Sequence, residues 1–256
     1  LITSSILSKK IASGLSSLVL DVKVGNGSFN STIDIARDLS NSLVRVAKGA
    51  GLHCEAILTD MNQVLGKSAG HTLEILECIK YIKNDFKDHR LEKITNELIS
   101  SLLVNIYKIS KEEAYNKINT VINNGLAAEK FEMMVAALGG PKNILSSYEK
   151  DLINTSVRKD VFSSEQGWIE KIHTRELGLI LIELGGGRKQ VTDKINYGVG
   201  YDNVLNIGDE VNSSTPLLSL YSSKNIDDNL INKIKGCFII SDKKTQKLSE
   251  IFETIN

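Results

Sequence analysis

Ser5 and Lys9 are the first pair in the chain whose types and spacing suit chemistry. Four residues apart on a helix, they share one face and can offer a hydroxyl and an ammonium to the same small molecule. Read from spacing alone the signal is weak, because a serine and a lysine so placed on a surface helix are usually just solvated. Further along, Gly25-Asn-Gly27 has neither the third glycine of a dinucleotide fingerprint nor the Gly-Lys-Ser/Thr of a P-loop, so it reads as a turn closing a strand. Asp60 and Asn62 stand at the end of another apolar run, where an acid more readily accepts backbone N–H bonds in a turn or helix cap than acts as a base. Gly185-Gly-Gly-Arg188 reads as a helix stop and an inter-domain contact, and its glycines beside Arg188 and Lys189 could also bind an anion.

Composition narrows the classes of partner. Thirty-one basic residues balance thirty-one acidic ones in 256 residues, which argues against nucleic acid or an anionic membrane surface as the main partner. No apolar run approaches the roughly 20 residues of a membrane helix and no signal peptide is visible, so the expected location is cytoplasmic. Cys54, Cys78 and Cys237 are odd in number and sit in apolar contexts, which predicts buried, reduced thiols. His53, His71, His89 and His173 lack ligand spacing, so zinc is not expected. The chain opens on a leucine, its first methionine is Met61, and Ile2 already reads as helix, so it is expected to be the C-terminal part of a longer protein.

The elements that must position these residues follow from periodicity. Helical spacing runs from Ile2 to Ala12 and stops at Gly14; Leu18 to Val24 then reads as a strand. Thr32 precedes a helix from Ile33 to Gly49, with Ile35, Leu39, Leu43, Val46 and Ala47 on one face, and the next strand spans Glu55 to Leu58. Strand, helix, strand favours a parallel pair with a right-handed crossover. Helical periods at Leu73 to Ile82, Leu91 to Tyr107, Lys111 to Asn123 and Ala127 to Leu138 are expected to cover a face of that sheet, until Gly139-Gly-Pro141 breaks the pattern. Beyond Val157, β-type runs around Val161 to Glu170, a helix near Thr174 to Leu184, and strands in Gly198–Tyr201, Gly208–Val211 and Pro216–Leu220 suggest a small barrel-like sandwich. The Gly208–Leu220 stretch is similar to lipoyl and biotinyl carrier domains but lacks their lysine hairpin, so carrier function is not expected. The fold class is α/β: part of a mixed or parallel sheet covered by helices, then a small β-rich barrel-sandwich-like domain. The expected divisions are 1–13, 14–155 and 156–256.

Taken together, Ser5-Ile-Leu-Ser-Lys9, Asp21-Val-Lys-Val-Gly25, Leu58-Thr-Asp-Met-Asn62 and Thr174-Arg-Glu-Leu-Gly178 with Gly185-Gly-Gly-Arg188 resemble the thymidine phosphorylase family, collinearly and over essentially the whole chain. The resemblance implies a pentosyltransferase that cleaves thymidine with phosphate, needs no redox cofactor and works as a homodimer. Ser5 and Lys9 match the residues that contact the polar edge of the base, and Phe29 matches a position near the base, though it could equally be a core aromatic. Leu65 and Ser68 match positions that in the closely related pyrimidine-nucleoside phosphorylases supply backbone carbonyls to a monovalent cation such as K⁺, and Glu77 matches the carboxylate; the alternative is a Glu77 exposed on a helix beginning near Thr72. Residues 1–13 would be the remnant of a small α-domain. The phosphate segment, an arginine and a histidine would lie before Leu1, implying that this chain alone is inactive. Gly14 is either a hinge for closing the cleft or a plain helix stop. Two rivals remain: a broader pyrimidine-nucleoside phosphorylase that accepts uridine, and a non-catalytic interaction module.

Overall fold

A computed structural model of the protein describes residues 1–152 and 157–256. The chain runs α1 (Ile2–Ala12), β1 (Ser17–Val24), α2 (Ile33–Gly49), β2 (His53–Asp60), α3 (His71–Ile82) and α4 (His89–Tyr107). Next come α5 (Lys111–Asn123), α6 (Leu126–Ala137), α7 (Ile144–Leu152), β3 (Val157–Val161), β4 (Gly167–Ile172) and α8 (Thr174–Leu184). The last elements are β5 (Gly200–Asp202), β6 (Glu210–Val211), β7 (Leu218–Ser222), α9 (Asp228–Lys235), β8 (Phe238–Ser241) and β9 (Ile251–Ile255). Contacts divide it into two compact units, and the boundary expected near residue 155 lies outside the described residues.

The first unit comprises Leu1–Met61, Arg90–Val121 and Ser249–Asn256. Here β1 and β2 pair in parallel from Ser17 opposite His53 to Val24 opposite Asp60, as strand–helix–strand order requires. From His53 to Asp60 all but the first residue are buried, the mark of a central strand covered on both faces. On its other side lies β9, antiparallel, with a register shift between Leu58 and Thr59. The sheet is therefore mixed, and its third strand comes from the stretch assigned by sequence to 156–256; alternation in so short a strand does not name its partner.

Thr32 caps α2, its Oγ1 accepting the Ile35 N–H at 3.4 Å. The buried face of α2 is Ala36, Ser40, Leu43, Val44 and Ala47, whereas Ile35 and Val46 of the expected stripe are exposed. Small residues let the helix backbone come close to Leu18, Val22, Cys54, Ala56 and Leu58 of the same apolar cluster. Along α4 and α5 the link to this unit is partly polar: Asn105 Nδ2 donates to Glu55 at 2.9 Å, and Glu97 accepts from Lys111 and from the Tyr115 hydroxyl at 2.5 and 2.9 Å.

The second unit comprises Asn62–His89 and Ile122–Leu248. The helices after Thr72 thus do not form one layer: α3, α6 and α7 fall here, and Leu73, Leu76 and Ile79 of α3 pack on Ile144 and Tyr148 of α7. Two three-stranded sheets follow, ordered β3-β7-β5 and β6-β4-β8. Both feed one core, with Val161, Leu218, Leu220 and Tyr201 from the first and Ile169, Ile172, Val211 and Phe238 from the second. This is a sandwich, and no barrel closes among the described residues. α8 stops, as expected, at Gly185, whose φ of +99° is open to glycine at little cost. All three cysteines are free, Cys54 and Cys237 buried, but Cys78 is exposed because α3 turns Leu76 and Ile79 inward instead. Among the described residues no helix is long and apolar enough to cross a membrane.

Candidate functional site

The hydroxyl and ammonium of Ser5 and Lys9 depend on how α1 is seated. Leu7 is its buried anchor in the cluster shared with α2, and Thr3 Oγ1 meets Ser42 Oγ at 3.1 Å. This leaves Ser5 and Lys9 together on the exposed part of α1, open to an incoming ligand. Their backbone carbonyls accept local bonds, from Ser8 Oγ at 3.4 Å and Ser13 Oγ at 2.8 Å.

The turn after β1 is fixed by backbone bonds. Gly25 N donates to Asn30 O at 3.0 Å, Ser28 N to Gly25 O at 3.0 Å, and Gly27 N to Met61 O at 2.9 Å. Ser28 Oγ and Asn30 Nδ2 both donate to the Lys23 carbonyl, at 2.7 and 3.0 Å. Phe29 rides on this held turn at 95% exposure, so it is not a core aromatic. Beneath it, Lys23 Nζ pairs with Asp21 at 2.7 Å and donates to Thr59 Oγ1 at 3.0 Å, while Thr59 Oγ1 donates to Asp21. Sequence reading missed this cluster. Its signal was present: two charged residues at i and i+2 in an otherwise apolar strand occupy one face.

Asp60, read from sequence as a turn or cap acid, also makes an ion pair with a distant helix. Its side chain is fully buried at the end of β2 and meets Arg90 Nη2 of α4 at 3.2 Å.

In the second unit, Glu77 is buried rather than exposed on its helix. Its Oε1 accepts Lys67 N at 2.7 Å and its Oε2 accepts Ser68 N at 3.1 Å. Burial pushes its pKa up, and Asp88 adds to this, against the pull of the two N–H bonds. Ser68 Oγ donates to Asp202 at 3.2 Å. The structure therefore brings Ser68 and Glu77 together, with Leu65 three residues earlier on the same segment. A Cβ at Gly66 would lie 2.7 Å from the Glu77 carboxyl carbon, so the segment lies tight on that carboxylate. A buried carboxylate suits a hard cation, because a carboxylate oxygen that accepts one N–H keeps further acceptor capacity. A cavity of about 490 Å³ opens beside it, lined by Ser68, Glu77, Asp202, Tyr148 and Tyr221 among others.

Residues 62–69 are tied to the C-terminal sandwich at several points that sequence reading did not anticipate. Thr174 Oγ1 donates to Asn62 O at 2.8 Å, and Ile207 N to the buried Gln63 Oε1 at 2.8 Å. Asp209 holds Lys67 and Lys247 at 3.4 and 3.3 Å; burial works against its charge, but the Asn206 N–H and both ammoniums keep its pKa below the usual carboxylate range. At Gly185-Gly-Gly-Arg188 the N–H groups of Lys189 and Gln190 already donate to Asp193, both at 2.9 Å, so a carboxylate of the chain stands where an anion would sit.

A parallel strand pair opening into held polar turns can seat a small polar ligand at its strand ends. The family described as pyrimidine nucleoside phosphorylase C-terminal domain matches residues 168–241, which covers β4 to β8. Over 223 residues the chain is 44% identical to a thymidine phosphorylase of Colwellia psychrerythraea, an alignment that takes in 87% of this chain and 51% of that protein. The chain is thus similar to a thymidine phosphorylase over most of its own length, and it spans about half the length of the curated relative it matches.

Proposed function

We propose that the protein acts as a thymidine phosphorylase. An oxygen of hydrogen phosphate bonds to C1′ of the 2′-deoxyribonucleoside as the bond from C1′ to the base nitrogen breaks; the electron pair leaves on the base, which takes up the proton that the phosphate gives up to solvent, giving thymine and 2-deoxy-α-D-ribose 1-phosphate. Lys9 and Ser5 are then catalytic residues, donors set against the negative charge that grows on the base, and they lower the barrier because that charge is larger in the transition state than in the substrate. Phe29, presented on a rigid turn, supplies an apolar wall for the base. The 44% identity to a thymidine phosphorylase over 87% of the chain carries this reading.

Leu65, Ser68 and Glu77 would hold K⁺, which when bound would balance the buried carboxylate and brace the segment from Leu65 to Ser68. The enzyme is taken to be a cytoplasmic homodimer. A broader pyrimidine specificity is the second reading, favoured by the description of the family that matches residues 168–241. Base release by the full-length enzyme from thymidine and from uridine, each with phosphate, tests both. Thymine release alone supports the first reading, release from both supports the second, and release from neither rejects phosphorolysis. Size-exclusion with light scattering tests the dimer, and a K⁺-dependent rise in melting temperature, absent in Glu77→Gln, tests the cation site.

A further inference from the structure

The first turn of α4 carries two cations three residues apart, Arg90 and Lys93, which therefore share one face. Arg90, buried, meets Asp60 Oδ2 at 3.2 Å and the Asp60 carbonyl at 3.3 Å. Lys93 meets Glu250 Oε2 at 2.7 Å, and the Glu250 carbonyl in turn accepts the Asp60 N–H at 3.0 Å. One helical turn thus grips the last residue of β2 through its side chain, its carbonyl and, by way of Glu250, its N–H. The grip falls just past the register shift between Leu58 and Thr59, where the regular ladder to β9 is interrupted.

The next residue passes this constraint on. Met61 N donates to Val24 O at 2.6 Å and Met61 O accepts from Gly27 N at 2.9 Å, so the turn that presents Phe29 hangs on the Met61 peptide. Apolar packing could bury the same area, yet it would leave the strand end free to slide; a fork of charged hydrogen bonds fixes distance and direction together.

We infer that Arg90 and Lys93 are positioning residues: through Asp60, Glu250 and the Met61 peptide they set the turn from Gly25 to Phe29, and with it the wall against which the base is held. Neither touches substrate. The part concerning the base rests on the phosphorolysis reading, whereas the coupling of α4 to the turn does not.

Hydrogen exchange and kinetics on Asp60→Asn in the full chain test the inference, because asparagine keeps the shape and removes the charge. Exchange at Gly27 and Met61 should rise about 10-fold or more, against less than about 3-fold at Leu20 in mid-β1. In the full-length enzyme KM for the nucleoside should rise about 10-fold with kcat and the phosphate KM nearly unchanged. Should Asp60→Asn fail to fold, Lys93→Gln, at a half-exposed site, is read for the same pattern at smaller amplitude. Exchange that rises evenly along β1 and β2, or stays at the wild-type level at Gly27 and Met61 in a folded variant, overturns the inference. Exchange needs no turnover, so a wild type without phosphorolysis rejects the functional reading while leaving the positioning role tested.

Discussion

The turn from Gly25 to Asn30 and the segment from Gly66 to Ser68 each follow the end of a strand, yet they use their polar groups in opposite ways. In the first, backbone groups hold one another and Met61, and the side chain of interest, Phe29, is left out in solvent. In the second, the side chain of interest, Glu77, is buried and holds the backbone N–H groups of Lys67 and Ser68. A turn held by its own backbone can lose its presented side chain without unfolding. A segment held by one buried carboxylate cannot lose that carboxylate cheaply, since two donors are then left without a partner.

Glu77→Ala should produce the largest change, roughly 3 kcal/mol of stability lost in urea unfolding, from the two orphaned N–H groups and the space left behind. A loss under about 1 kcal/mol would erase the contrast between the two regions. The pH dependence sharpens it. Because the folded-state pKa of Glu77 is raised, its contribution is fully present below the unfolded glutamate pKa near 4.3 and declines as pH rises through the folded value. The destabilisation measured for Glu77→Gln should therefore be larger at pH 4 than at pH 8. The reverse slope would mean that the N–H bonds outweigh burial.

On the exposed side, Lys9→Ala in the full-length enzyme should lower kcat/KM for thymidine by about 10²-fold, with Ser5→Ala costing less, and neither should move the melting temperature appreciably. Activity within a few-fold of wild type for Lys9→Ala would remove α1 from the site. Gly14, which ends α1 at φ +66° with open space around it, should lose roughly 1 kcal/mol as Gly14→Ala through backbone strain alone, at near-normal turnover. A fall in kcat at unchanged folded fraction would make it a hinge instead. The smallest stability effect belongs to Phe29→Ala, within about 0.5 kcal/mol in thermal melts. A clear destabilisation there would show that Phe29 packs on something in solution and that the two regions are built alike.

Near neighbours along the chain decide whether a helix starts, stops or turns into a strand, and for that reason those features were legible in the sequence. The cap at Thr32, the stop at Gly185, the strand–helix–strand unit and the span of α5 all follow from residues within a turn or two of each other. That Ser5 and Lys9 share an exposed helix stretch follows for the same reason, and the resemblance to a family is likewise carried by short segments read in order. Burial and partner choice are decided by residues far away in the chain, and only the tertiary structure supplies them. The sequence of β9 does not say that Ile255 lies opposite Ala56, nor does Asp60 announce Arg90 thirty residues on. The rotation of α2 onto its small residues is set by how near the sheet approaches. Glu77 reads locally as one more charged residue on a helix, and it becomes a buried support because the backbone of Lys67 and Ser68 folds over it.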